Sequence, residues 1–319
     1  MSLHGRIDEF ERLEEKLKHS LKRTVSIKPI KFESIILYFG TNENHRLCLD
    51  LCKAIAKRHK CKVKLVCDAR IFGEKTNQTG ISCDELFSET CGELESVKIS
   101  EVEKHVINGE VTLEEKLSEI IEKPSELIII PATPMLNNNA ICSTNKSIEQ
   151  ILEKLSNPIL LVKKNEQIEN LKALKNVLIT FSDVSDLDEI ISTTLAIADK
   201  KAKINILSVM DDRFLNYVEM IMGAISDESR ITKEEIIESV MKQIKKILNE
   251  TTTKIAEMGY KVDYLMETGE TVHRISDIAE KIKASLIVVM HRFEHEMEAE
   301  VKLILEEINV PVLIISQKE

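Results

Sequence analysis

The chain has no tryptophan, few aromatic residues and no long apolar run, and each absence excludes a class of protein. Aromatic residues make up 4% of its 319 residues, too few for the stacking platforms that bind single-stranded nucleic acid. Apolar runs such as Leu286 to Met290 are far shorter than the roughly 20 residues of a membrane-spanning helix. No signal-peptide pattern opens the chain. We therefore predict a cytoplasmic protein that binds neither nucleic acid nor membrane.

Cysteine is absent from the second half of the chain, because all seven cysteines lie between Cys48 and Cys142. An odd number in one half predicts no disulfide framework for the whole chain, and we expect reduced thiols, as in a cytosolic protein. The formal net charge is -10, and lysines are interleaved with glutamates. Binding to a phosphate backbone needs clustered Lys and Arg. The predicted ligand is a small molecule or another protein.

What the sequence does contain is an internal repeat, visible as three matched blocks in the same order. The segment SIILYFGTNENHRLCLDLCKAIAKRHKCKVKLVCD, from Ser34, aligns with NVLITFSDVSDLDEIISTTLAIADKKAKINILSVMD, from Asn176. The segment INGEVTLEEKLSEIIEKPSELIII aligns with ETGETVHRISDIAEKIKASLIVV. The third block, SIEQILEKLSNPILLV, aligns with EVKLILEEINVPVLII and places Pro158 over Pro311. The chain is therefore predicted to hold two copies of one domain.

Each copy shows the alternation of strands and helices that is typical of an α/β protein. Strands read as nearly continuous apolar runs, such as LIII, ILLV, LIVV and VLII, the pattern of parallel strands that are covered on both faces. Helices between them carry an apolar stripe, for example Ile275, Ile278 and Ile282. We predict two tandem doubly wound domains, each with a mainly five-stranded parallel sheet flanked by helices.

The repeat also sets the predicted domain boundaries. We assign residues 1–32 to an N-terminal helical extension, 33–164 to the first domain, 165–175 to a polar linker and 176–319 to the second domain. The second domain contains a long extra helix after its second strand. That helix opens with a capping-box pattern at Thr232 and is predicted to run to about Met258.

Residues 1 to about 30 lie outside the repeat and have the pattern of an amphipathic helix. Its apolar side carries Ile7, Phe10, Leu13 and Leu17. Two interpretations remain open at this point: the helix covers an apolar patch of its own first domain, or it is a dimerisation arm.

These blocks resemble the universal stress protein family. The two β1 segments are similar to the family pattern ILVavDGSenSerALeyAlelA, KASLIVV is similar to adLIVmG, and the strands after NP and VP are similar to cPVLvv. The resemblance covers most of residues 34–164 and 176–317, and it implies the adenine-nucleotide α-hydrolase-like fold of that family. It also implies that the closing strands pair across a two-fold axis, so that tandem copies form an internal pseudo-dimer. A homodimer of the chain is the further possibility that this family leaves open.

Nucleotide-binding members of this family carry Gly-x2-Gly-x9-Gly-Ser/Thr after the fourth strand. Glycines let the backbone approach the phosphates, and free amides at a helix start hold the anion. The corresponding positions of the first half hold Ala132, Met135, Asn145 and Lys146. The phosphate-binding motif is therefore lost in the first half.

The second half departs further from the family pattern. Its loop after the fourth strand is shorter by about six residues and is acidic, with Glu294, Glu296 and Glu298, so it would repel a triphosphate. The acidic residue that the family places after the first strand is replaced by Gly40 in the first half and by Ser182 in the second.

We predict a non-enzymatic stress-response or regulatory protein and assign it no cofactor. One alternative is a weakly hydrolysing protein that binds ATP or AMP in the first domain only, at the carboxyl ends of the strands. Another is a scaffold that binds a protein partner through the N-terminal helix or the apolar stretch 214–225. The candidate pocket residues of the first domain are Gly40, Thr41, Asp68, Ala132, Thr133, Ser143, Thr144 and Lys146.

Two groups of residues have the side chains of metal ligands, and a simpler interpretation is favoured for each. His45, Cys48 and Cys52 fall on one helical face and, with Cys67, have the chemistry of a zinc site; burial of the cysteines in the core is the favoured interpretation. His291 and His295 also share a face, but the general-base Glu of HExxH is absent, which favours a solvated helix start. No Gly-x-Ser-x-Gly, Walker or Cys-x2-Cys motif occurs.

Overall fold

The computed structural model describes residues 25–39, 45–69, 82–132, 144–163, 174–181, 184–210, 233–292 and 299–317. None of the helices within these ranges is long and apolar enough to cross a membrane.

The first half alternates strands and helices along the chain. Its elements are β1 (Ser34–Phe39), α1 (His45–His59), β2 (Lys62–Asp68), α2 (Cys83–Ser96), β3 (Val102–Ile107), α3 (Leu113–Ile120), β4 (Leu127–Pro131), α4 (Thr144–Lys154) and β5 (Ile159–Val162).

The second half repeats the same order with one short 3-10 turn at Val184–Asp186. Its elements are β6 (Asn176–Phe181), α5 (Leu187–Ile197), β7 (Lys203–Met210), α6 (Lys233–Glu257), β8 (Lys261–Thr268), α7 (Thr271–Lys281), β9 (Leu286–Arg292), α8 (Ala299–Glu307) and β10 (Val312–Gln317). The predicted long helix is confirmed as α6, although Thr232 itself lies outside the described residues.

The ten strands of the described residues belong to one sheet, in the order β3-β2-β1-β4-β5-β10-β9-β6-β7-β8. Within each half the five strands are parallel, which confirms the predicted α/β class. The halves meet where β5 and β10 pair antiparallel, with Leu160 opposite Leu313. The strand order of the second half is therefore the mirror image of the first, and the sheet is continuous across the join.

Helices cover both faces of this sheet, which explains why the strands read as unbroken apolar runs. Successive residues of β1 enter opposite layers: Ile35, Leu37 and Phe39 pack on the face that carries α1, whereas Ile36 and Tyr38 pack on the other. The strands of both halves contribute to each layer. Because neither face of the inner strands is solvated, they need no polar alternation, whereas the edge strands β3 and β8 are partly exposed and carry charged residues.

Residues 25–33 lead into β1 as an extended segment, so the predicted N-terminal helix does not reach residue 30. This segment contacts the second half. The Ser26 amide donates to Asp188 Oδ2 at 3.0 Å, and the Lys28 amide donates to Ser192 Oγ at 3.1 Å, both on α5. Pro29 has no amide to offer a helix. Residues 1–24, which carry the predicted apolar stripe, lie outside the described residues.

The end of α1 contacts the end of α5 across the two halves. Arg58 Nη1 donates to the carbonyl oxygens of Ala196, at 3.2 Å, and of Ala198. The His59 ring bridges the halves: its Nδ1 accepts the Phe32 amide at 3.2 Å, and its Nε2 lies 2.8 Å from the Ala196 oxygen. Since Nδ1 accepts, the ring proton is on Nε2. Neutral His59 therefore satisfies a carbonyl at the end of α5 that the helix itself leaves free.

Protonation of His59 is expected to destabilise the folded chain. Burial lowers the pKa of His59 from 6.5, the Ala196 hydrogen bond opposes this, and the charges of Arg58 and Lys31 lower it further. The unfolded chain then binds the proton more readily, so stability is present above about pH 6.5 and is lost as the pH falls through the lowered pKa. Urea unfolding should therefore give a lower free energy of unfolding at pH 5 than at pH 7, with part of the loss due to His59.

The matched variants separate this effect from general acid destabilisation. His59→Gln should lack that part of the loss between pH 7 and pH 5, whereas His273→Gln, at an exposed histidine on α7, should retain it. A His59→Gln variant whose pH dependence equals that of the wild type would contradict the assignment.

A second contact across the join involves Lys163, which follows β5. Its side chain is buried, and Nζ donates to the carbonyl oxygens of Leu305 and Ile308, the latter at 2.7 Å, at the end of α8. Burial lowers the pKa of Lys163 from 10.5 to about 8. A lysine of the first half thus caps a helix of the second half.

Candidate functional site

The candidate site lies at the carboxyl edge of the first-half strands, where β2, β1 and β4 are adjacent and parallel. In open parallel sheets, ligands bind at this edge. Asp68 is the last residue of β2 and is only 4% exposed. Ala132 directly follows β4, is buried, and donates its amide to the Val162 oxygen at 2.9 Å. The structure therefore places both of these predicted residues at the same sheet edge.

The segment after β4 has the length that the sequence predicts, and its sequence lacks the glycines of the family motif. Twelve residues, 132–143, separate β4 from α4, whereas six residues, 293–298, separate β9 from α8. The predicted shortening in the second half is thus confirmed. Thr144 and Lys146 lie in the first turn of α4, where free amides point away from the helix.

Several predicted residues lie outside the part of the chain that the structure describes, and for them the predictions stand as made. These are Gly40, Thr41, Thr133, Met135, Ser143, Ser182, residues 214–225, Glu294, His295, Glu296 and Glu298, together with most of the predicted linker. For His291 the expected solvated helix start is wrong, because His291 lies in β9 and is only 1% exposed.

The expectation of reduced thiols is wrong for one pair, because Cys67 and Cys83 form a disulfide. Cys67 is the last residue but one of β2, directly before Asp68, and Cys83 is the first residue of α2. The sequence separates them by 16 residues, but α2 begins over the end of β2 and brings their Cα atoms to 6.1 Å, within the range that a disulfide spans. Cysteine spacing alone does not reveal this approach.

Because Cys67 is part of the disulfide, it is not a thiolate ligand for the zinc site considered with His45, Cys48 and Cys52. Cys48 and Cys52 are fully buried in the core under the sheet, as the favoured interpretation predicts, and burial raises the pKa of both thiols far above the ordinary value. Within the described ranges, no three His, Cys, Asp or Glu side chains are grouped as metal ligands.

One open surface cavity lies at the opposite, amino edge of the first-half strands. Its volume is about 410 Å³, and it is lined by Lys31, Phe32, Glu33, Lys60 and Cys61. Burial raises the pKa of the Cys61 thiol to about 11, so this sulfur is not a ready nucleophile. Because it lies at the amino edge, the cavity is separate from the candidate site at the carboxyl edge.

Sequence reasoning missed the residues that join the two halves. Arg58 and His59 read as an ordinary basic helix end, which is common, and Lys163 reads as the first polar residue after a strand. One signal existed for Lys163: the repeat places it over Ser316, five residues after the matched prolines. A long charged side chain opposite a small hydroxyl marks a position where the two copies differ.

Comparison with solved structures assigns the fold. No protein family model and no curated protein matches the chain. A functionally unknown protein of Pseudomonas aeruginosa PAO1 has a TM-score of 0.58 at 15% identity, covering 89% of this chain and 92% of that chain. A universal stress protein of Archaeoglobus fulgidus DSM 4304 has a TM-score of 0.53 at 14% identity, covering 90% and 99%.

These structures match nearly the whole chain and span nearly their own full length, so the likeness includes both halves and their arrangement in sequence. At such low identity the likeness concerns the fold and not the ligand. The chain therefore has the universal stress protein fold, in two tandem copies whose sheets are continuous.

Proposed function

We propose that this chain is a non-enzymatic, cytoplasmic regulatory protein of the universal stress type, whose two domains form an internal pseudo-dimer. The observation that carries the proposal is the pairing of β5 with β10, supported by the buried contacts of His59 and Lys163 across the same join. A body held together in this way is suited to presenting one fixed surface to a partner.

We leave nucleotide chemistry out of the proposal because of the residues at the carboxyl edge of the first-half strands. Ala132 stands where the family places its first phosphate-binding glycine, and its amide is already bonded to Val162. That amide is unavailable to a phosphate oxygen, and the first turn of α4 has Asn145 and Lys146 at the positions where the family has Gly and Ser or Thr. Close approach of phosphate to the backbone is what the lost glycines would permit.

A phosphate-release assay tests this proposal. We expect the purified full chain to release phosphate from MgATP no faster than buffer. Hydrolysis above that rate, retained through further purification and abolished by Asp68→Asn, would overturn the non-enzymatic assignment, because a contaminating ATPase would not respond to the substitution.

A second candidate function is binding of ATP or AMP by the first half alone. It is favoured by the twelve-residue segment between β4 and α4, which the second half lacks, and by the buried Asp68 at the same edge. A carboxylate there can accept hydrogen bonds from ribose or base. Titration calorimetry with ATP, ADP and AMP, with and without magnesium, decides: micromolar binding lost in Ser143→Ala/Thr144→Ala supports it, and no heat rejects it.

A further inference from the structure

The Cys67–Cys83 disulfide joins a buried strand end to the start of a surface helix. Cys67 is fully buried in β2, whereas Cys83 is partly exposed at the first position of α2. Cys83 is therefore the less buried end of the disulfide, and an external thiolate reaches it more readily than it reaches Cys67. Such an asymmetric disulfide has a defined point of attack.

Of the four free thiols among the described residues, three are poorly suited to redox chemistry, and the fourth, the half-buried Cys91 of α2, has no disulfide partner. Cys48 and Cys52 are buried, and burial raises the pKa of both and raises that of Cys61 to about 11. Reactive cysteines need thiolate character and access. Cys83 is the less buried cysteine of the disulfide, and its place in the first turn of a helix stabilises a thiolate.

We propose that the Cys67–Cys83 pair is a reversible redox site, reduced by a dithiol through attack on the Cys83 sulfur, and that its oxidation state controls how firmly α2 is held on the sheet. The redox proposal does not depend on the proposed regulatory function, because the site is defined by the two sulfur atoms and the helix that they anchor.

The exchange balances in two steps. The first thiolate of the reductant attacks Cys83 Sγ, the Cys67–Cys83 bond breaks, and Cys67 leaves as a thiolate that takes up a proton. The second thiolate of the reductant then attacks the reductant's other sulfur, which is bonded to Cys83 in the mixed disulfide, and Cys83 leaves as a thiolate. The protein gains two electrons as a dithiol, and the reductant becomes a disulfide. A disulfide oxidant reverses both steps.

Reduction leaves α2 held by noncovalent contacts only. Leu86, Phe87 and Leu94 are buried in the core layer beneath it, and Glu93 of α2 accepts Lys53 Nζ of α1 at 2.7 Å. The first turn then keeps its Ser82–Glu85 capping box and the buried Leu86 and Phe87 that follow it, but it loses the one covalent link that ties it to β2. The expected response is opening of α2 from its N-terminus, at the sheet edge that carries Asp68.

Hydrogen exchange on the full chain, oxidised and after reduction by dithiothreitol, tests the proposal. Amides of residues 82–96 should exchange about 10–100-fold faster after reduction, the order expected when a cross-link closing a loop of this length is lost. The corresponding helix of the second half, α6, lies in a half without cysteine and should not change. Oxidised glutathione should restore the slow exchange.

Variants make the assignment specific. Cys83→Ser should exchange like the reduced wild type in either buffer, and Cys91→Ser, at another cysteine of α2, should keep the full response. The proposal is overturned if alkylation and mass spectrometry find Cys67 and Cys83 still oxidised in the folded chain under excess dithiothreitol. It is equally overturned if residues 82–96 exchange at one rate in both states.

Discussion

Lys64→Met is expected to lower the free energy of unfolding by about 3–5 kcal/mol, because it leaves a buried carboxylate unpaired. Lys64 is 0% exposed, and Glu126 is 1% exposed. The Lys64 ammonium donates to Glu126 Oε1 at 3.0 Å and to the Ile120 carbonyl at 2.6 Å, and it also contacts Glu122. Truncating the lysine removes the charge that compensates Glu126.

The rest of the network shows why Glu126 cannot simply turn to solvent. Its Oε1 also accepts the Ser34 hydroxyl at 2.7 Å, and its Oε2 accepts the Glu122 amide at 3.1 Å. These bonds hold the carboxylate at the amino edge of β1 and β4. With Lys64 removed, the folded state retains the desolvated charge or gives up these contacts, and either outcome costs stability.

Chemical denaturation of wild type and variants measures the effect. The double variant Lys64→Met/Glu126→Gln should recover most of the loss, because no unpaired charge remains. Lys203→Met, which breaks the exposed pair of Lys203 (46% exposed) with Asp263, should cost less than about 1 kcal/mol. A Lys64→Met variant within about 1 kcal/mol of wild type would show that the buried pair is not formed in solution.

Raising the pH from 7.5 to 10 is expected to stabilise the wild type relative to Lys163→Met by about 2–3 kcal/mol. Lys163 is 4% exposed, and burial lowers its pKa from 10.5 to about 8. Between these values the folded chain holds neutral Lys163 while the unfolded chain holds it charged. The unfolded chain binds more protons, so stability increases with pH across this window.

Ser316 provides the matched control for Lys163. The repeat places Ser316 at the same position of β10, and its buried hydroxyl has no hydrogen-bond partner. Ser316→Ala should therefore change stability by no more than about 1 kcal/mol, with no difference between pH 7.5 and 10. Equal pH dependence of wild type and Lys163→Met would contradict the buried position of the ammonium.

The two halves solve the same local problem with different chemistry. Asn205 occupies the position of Lys64, since each pairs with the third residue of the neighbouring strand, and Asn205 Nδ2 donates to the Val177 carbonyl at 3.3 Å. Ser285, which precedes β9 as Glu126 precedes β4, accepts the Asn176 amide at 3.0 Å. The second copy is neutral where the first is ionised.

Apolar patterning in the sequence is sufficient to predict the α/β class, the five strands per copy and the long α6. Runs such as LIII report that a strand is covered on both faces, and the 3.6-residue spacing in α7 reports one buried helix face. The unequal loops after β4 and β9 follow from residue counts alone. The candidate residues Asp68 and Ala132 are found at one edge because parallel strands end together.

Patterning does not reveal which surfaces of the two copies meet. An apolar residue in β10 signals burial equally well against a helix or against β5, and a basic helix end at Arg58 reads the same in water and against α5. The Cys67–Cys83 bond and the contact of Lys163 with α8 depend on distances between elements far apart in the chain. Those distances are set by three-dimensional packing, which local composition does not encode.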